Sequence, residues 1–124
     1  MEQNAGGDEV LAWLLSNADE EPVRVLYGPS KSLGIWRYVD IISHENLPSD
    51  LQTWSEAADF IEEQRLSWAI VDFDLVDRRQ GLLGDYFSLD GRKANLVQAP
   101  PGWVLVHEGE TSLSRWFVFG IVQR

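Results

Sequence analysis

The chain contains no cysteine, one methionine and two histidines, and only 10 of its 124 residues are basic against 20 acidic. Without cysteine there can be no disulfide framework, no thiolate metal cluster and no thiol nucleophile. The shortage of lysine and arginine leaves a formal charge of −10. Binding to phosphate backbones needs a basic footprint, so direct nucleic-acid binding is not expected. Long hydrophobic runs are missing too. Near the N-terminus only Val10 to Leu15 is continuously apolar, and Glu2, Asp8 and Glu9 stand where a secretory leader would carry positive charge. Six residues are too few for a leader or a membrane span. The expectation is a cytoplasmic protein with no membrane association. What is present is 44% hydrophobic residues with six tryptophans. That is enough for one core in a single domain, 1–124, with 1–7 as a loose tail.

Hydrophobic spacing and turn residues predict the order of elements. Asp8 is placed to cap a helix over about 9–18, whose Val10, Leu11, Leu14, Leu15 and Ala18 recur at helical intervals, and Pro22 lies beyond its end. Val23 to Tyr27 and Leu33 to Ser43 read as strands joined as an antiparallel hairpin, with His44 to Asp50 a loop. Thr53-Trp54-Ser55-Glu56 has the form of a capping box opening a helix to about Arg65, with Leu51, Trp54, Ala58 and Ile61 on its apolar stripe. Ser67 to Asp74 reads as a third strand, and 75–84 as irregular. Asp90-Gly91 signals a hairpin between 85–89 and 92–99, and a last hairpin joins Trp103–His107 to Leu113–Val122. The final strand is apolar on both faces and so belongs inside the sheet. The predicted fold is α+β: an antiparallel sheet of about six to seven strands with two helices on one face.

Few motifs carry chemistry. Ala69-Ile70-Val71-Asp72-Phe73-Asp74-Leu75-Val76, an apolar strand running into D-x-D, resembles the nucleophile motif of haloacid-dehalogenase-type phosphatases. That resemblance implies carboxylates holding magnesium while one attacks phosphorus, and it supports an alternative reading as a small metal-dependent hydrolase using Asp72 and Asp74, with Asp77 nearby. Leu75 departs from the small residue found there in that family, and only residues 75–124 follow. The favoured reading is a buried strand whose alternate positions emerge into solvent at Asp72 and Asp74. Tyr27-Gly28-Pro29-Ser30-Lys31-Ser32 resembles a phosphate-binding loop, but Ser30 stands where glycine must precede the lysine. His44 and His107 each precede a glutamate, without the spacing of a zinc site, and are expected in a loop and at a strand end. No catalytic residue, metal or cofactor is therefore expected.

Charge layout says more. Residues 1–39 carry a net −3, residues 40–77 a net −9 and residues 78–124 a net +2. The middle segment holds Asp50, Glu56, Asp59, Glu62, Glu63, Asp72, Asp74 and Asp77, with Arg65 its only base. An ordinary exposed helix places opposite charges four apart, gaining about 0.2–0.5 kcal/mol per pair, and like charges cost a similar amount. Asp59 and Glu63 are four apart with the same sign. A basic partner would turn that cost into complementarity. The eight acids are the expected partner-binding residues, and any of Trp13, Trp36, Trp68 and Trp103 left at the surface would serve as anchors. The expected function is inhibition by occlusion of a basic protein, such as a nuclease-type toxin or another nucleic-acid-acting protein. The comparison is one of class, size and charge with immunity proteins, antitoxins and nucleic-acid mimics. An acidic secretion chaperone is a further alternative.

Overall fold

Ala69-Ile70-Val71 and Trp116-Phe117-Val118-Phe119 are apolar at every position, and consecutive strand residues face opposite sides of a sheet. Such strands need cover on both faces. The computed structural model, which describes residues 5–19, 22–27, 42–110 and 115–122, supplies that cover. Its elements are α1 (Ala5–Asn17), β1 (Val23–Tyr27), β2 (Ile42–Glu45), α2 (Trp54–Glu63), β3 (Trp68–Val71), α3 (Phe73–Arg78), α4 (Gln80–Leu83), β4 (Phe87–Asp90), β5 (Lys93–Leu96), β6 (Trp103–Glu110) and β7 (Arg115–Ile121). Five strands form one sheet in the order β2-β1-β3-β7-β6, and β4 and β5 form a separate two-stranded sheet.

The two faces of the large sheet bury two different sets of side chains. On one face Val10, Leu11 and Leu14 of α1 pack against Val23, Val25, Tyr27, Ile42, Ile70, Trp116 and Val118. On the other, Leu26, Ala69, Val71, Phe117 and Phe119 meet Ala57 and Ile61 of α2, Leu75 and Val76 of α3, Leu82 and Leu83 of α4, and the Phe87–Ala94 hairpin. The fold is thus α+β in three layers, with α1 opposite α2, α3 and α4. The expected pair of helices on one face is corrected: residues 10–14 and 57–61 each need a sheet face, and the sheet has two apolar ones.

The sheet is mixed, not antiparallel. β1 runs parallel to β2, with Val23 opposite Ile42 and Leu26 opposite Glu45, and parallel to β3, with Val25 opposite Trp68. Within this five-stranded sheet, among the described residues, β3–β7 and β6–β7 are the antiparallel pairs. The expected hairpin after Tyr27 therefore gives way to a crossover. A parallel return takes a dozen or more residues, and residues 28–41 separate the two strands. Those residues, including Trp36, the phosphate-loop-like stretch and most of the strand expected at 33–43, lie outside the described residues.

Local signals fared unevenly. α1 begins at Ala5, so residues 5–7, expected in the tail, are helical and Asp8 lies inside the helix rather than capping it; residues 1–4 of that tail lie outside the described residues. The two glycines weaken a helix by about 1 kcal/mol each but do not forbid one. The expected hairpin forms with its turn shifted by one residue: Asp90 pairs with Lys93, so the two-residue loop is Gly91-Arg92 and not Asp90-Gly91. Gly91 has φ 61°, as the primed hairpin turn with glycine in first place requires. β7 lies inside the sheet between β3 and β6, as its two apolar faces foretold. At the end of α2 the Arg65 and Leu66 amides donate to the Glu62 and Ile61 carbonyls, a Schellman arrangement. Arg65 occupies the left-handed position with φ 56°, where glycine would be less strained.

Candidate functional site

The acidic segment is built around α2. Its start is fixed by the capping box: the Glu56 amide donates to Thr53 Oγ1 at 3.2 Å, and Glu56 Oε1 accepts from the Thr53 amide at 3.1 Å and the Gln52 amide at 3.0 Å. From that start the 3.6-residue period buries Ala57 and Ile61, half-buries Trp54, Ala58 and Phe60, and exposes Ser55, Glu56, Asp59, Glu62 and Glu63. The outward face carries four acids and no base. Asp50 is exposed in the turn just before it.

These acids are not equivalent. The Gln52 and Thr53 amides bound to Glu56 hold its carboxyl below the ordinary glutamate range. A carboxyl whose pKa is lowered by folding stabilises the folded state above its unfolded pKa, and that contribution is lost as pH falls through the folded value. Stability is therefore expected to fall on acidification through and below the ordinary glutamate range. Glu56→Gln should flatten that part of the pH–stability curve, measured by urea unfolding at a series of acidic pH values.

Asp72 is not part of the surface. It is 5% exposed, and its Oδ1 accepts from the Leu75 amide at 2.9 Å as the N-cap of α3. Asp74 and Asp77 follow on that helix, both exposed, with Asp77 Oδ1 accepting from Gln80 Nε2 at 3.3 Å. The strand expected to reach Asp74 stops at Val71, and two short helices occupy the segment expected to be irregular. The D-x-D pair is thus a buried helix cap and an exposed first-turn residue, not two strand carboxylates on one face. Among the described residues no group of three or more histidine or acidic side chains is placed to hold a metal ion. Replacing Asp72 by alanine should cost about 1–2 kcal/mol, as for other N-caps. Asp72→Asn, which keeps an acceptor oxygen, should recover most of that loss in urea unfolding.

Four of the seven bases among the described residues are taken up in holding the fold. Arg24 Nε donates to the Gln64 carbonyl at 2.9 Å, and Arg79 Nη2 to the carbonyls of Pro48 at 2.9 Å and Leu51 at 3.2 Å. Lys93 pairs with Glu110 at 2.6 Å, and Arg115 reaches Glu108 at 3.1 Å and Asn95 at 2.8 Å. These contacts tie the β4–β5 hairpin to the end of β6 and β7. The positive excess of residues 78–124 thus includes two cations already matched to carboxylates.

Beside α2 lies a groove of about 420 Å³, walled by Trp54, Ala58 and Ile61 on the helix side and by Pro101, Trp103 and Ile121 on the sheet side. The indoles of Trp54 and Trp103 meet edge to face at 5.4 Å. Ser55 and Glu62 are the polar side chains in the lining, and Val122, 61% exposed, forms part of the rim. Sequence reasoning missed this feature because it joins residues some fifty positions apart. The local hint was Pro100-Pro101-Gly102-Trp103, a turn delivering an indole.

The other expected anchors are distributed differently. Trp103 is buried, whereas Trp13 and Trp68 are half-buried and pack edge to face at 6.1 Å on the α1 side. His107, expected at a strand end, sits within β6 and stacks on Trp13 at 4.8 Å with planes 8° apart. His44, expected in a loop, lies in β2. His107 and Glu108 pair opposite Val118 and Phe117 and so face opposite sides of the sheet. No helix among the described residues is long and apolar enough to cross a membrane. No family model, curated protein or solved structure matches the chain.

Proposed function

We propose that the chain is a small binding protein that inhibits a basic partner by covering its positive surface. The observation that carries this reading is the outward face of α2, with four acids in ten residues and no base. Glu56 also serves the cap, and the acidic surface continues through Asp50, Asp59, Glu62 and Glu63, with Asp74 and Asp77 on α3. Asp72 belongs to the interior. Like charges at helical spacing disfavour the free helix slightly, and a complementary positive surface removes that penalty while speeding encounter. A nucleic-acid-acting protein fits best, because its own substrate site must be positive.

The test is capture from a cell lysate on the immobilised chain, followed by an activity assay of what is captured. Basic nucleic-acid-acting proteins should be enriched at low salt, released at high salt, and inhibited stoichiometrically by the free chain. Enrichment of neutral proteins with no salt dependence would refute the reading.

A further inference from the structure

We propose that the cavity between the segment leading into α2 and the α3–α4 junction binds a small phosphate monoester. Arg79 ends α3 and opens α4, and the cavity forms where the chain turns between these two short helices. It measures about 270 Å³ and is lined by Leu51, Gln52, Arg78, Arg79, Gly81 and Leu82. Two adjacent guanidinium groups and no carboxylate thus share one concavity, in a chain whose acids outnumber its bases 20 to 10. Arg79 is half-buried, and its Nη2 donates to the Pro48 and Leu51 carbonyls. Those carbonyls hold the guanidinium in place but bring no net charge to offset it, and its buried Nε finds no acceptor. Among the described residues no carboxylate pairs with Arg79 or with the exposed Arg78. A cation drawn out of water is ordinarily matched by an anion; here that counter-charge is left for a ligand to bring. Asp50 and Asp77 are close in sequence, but neither lines the cavity, and Asp77 accepts from Gln80. Two guanidinium charges match a dianion, and their planar donors suit phosphate oxygens. The volume falls just below the range usual for drug-sized ligands, about 300–1,000 Å³, which limits the ester to a short substituent. The site is independent of the acidic-surface reading.

The experiment titrates the full chain with glycerol 3-phosphate at neutral pH, with chloride holding the ionic strength constant. Arginine Nε–H and backbone amide signals are followed in ¹H–¹⁵N correlation spectra. The Arg78 and Arg79 Nε–H signals and the Gly81 amide should shift saturably, and acetate should bind at least about tenfold more weakly. Arg78 makes no contact that holds the fold, so Arg78→Gln should stay folded and weaken phosphate binding at least about tenfold. Gly81→Leu is a second, independent variant: a Cβ there meets nothing within 4 Å, so the added side chain fills the cavity without disturbing the fold. It should abolish the shifts while the urea midpoint does not fall. Arg79 is left unchanged because it ties down Pro48 and Leu51. Shifts that rise linearly with phosphate, or that persist in folded Arg78→Gln and Gly81→Leu, would mean surface screening only and overturn the proposal. Acetate binding as tightly as the ester would make this a carboxylate site and overturn the phosphate assignment.

Discussion

Phe119→Ala is expected to destabilise the fold by about 3–5 kcal/mol, the usual cost of removing a fully buried phenylalanine ring. The ring has no solvent exposure. It lies 5.3 Å from the Trp103 ring, 5.9 Å from Phe87 and 6.4 Å from Phe117, at the centre of the cluster that joins sheet, hairpin and α2. Natural domains are stable by only about 5–15 kcal/mol, so the variant should be close to unfolded at room temperature. Urea unfolding followed by tryptophan fluorescence measures the loss. Val104→Ala is the control: its side chain is 52% exposed, and surface changes of this kind usually stay within about 0.5 kcal/mol. Equal losses in the two variants would mean that this sheet face is not packed as described. Phe119 also backs Trp103, so a folded remnant should lose the groove wall and any binding that depends on it.

The double charge reversal Asp59→Lys with Glu63→Lys is expected to reduce capture of a basic partner at least about tenfold at low salt, with the difference shrinking as salt is raised. Both residues are exposed and lie one helical turn apart. The lysine at 59 lies three residues from both Glu56 and Glu62, and the lysine at 63 sits in the last turn of α2, where positive charge suits the helix dipole and offsets the like-charge pair the two lysines form. Glu56 is left untouched because its carboxylate holds the capping box; reversing it would mix loss of binding with loss of the helix start. Isothermal titration with a captured partner, at low and high salt, checks the expectation. Unchanged low-salt affinity in a folded double variant would remove α2 from the interface.

How far the sequence could be read depended on the range of the interaction that decides each feature. The α2 capping box, the Asp90-Gly91 hairpin and the interior position of β7 were legible, because each is settled by residues within a few positions of one another. The same is true of β1, whose five residues were read without error. Asp72 shows the limit. As a strand residue at i+2 spacing from Asp74 it resembled half of a metal site, whereas Asp72 followed by Leu75 and Val76 also fits a helix cap, and the second pattern is the one the chain adopts. The signal was present, but two local readings competed, and only packing of Leu75 and Val76 beneath the sheet separated them.

The 20-to-10 excess of acids, its concentration in residues 40–77 and the amphipathic character of α2 were settled by the sequence itself, because charge and helical period are properties of the chain. The direction of β1 relative to β2, the placing of α1 opposite α2, the withdrawal of Asp72 and the groove beside Trp54 were decided by tertiary structure. Each of these depends on which of two apolar sheet faces a segment covers. That choice is made by long-range burial, which has no preferred spacing along the chain.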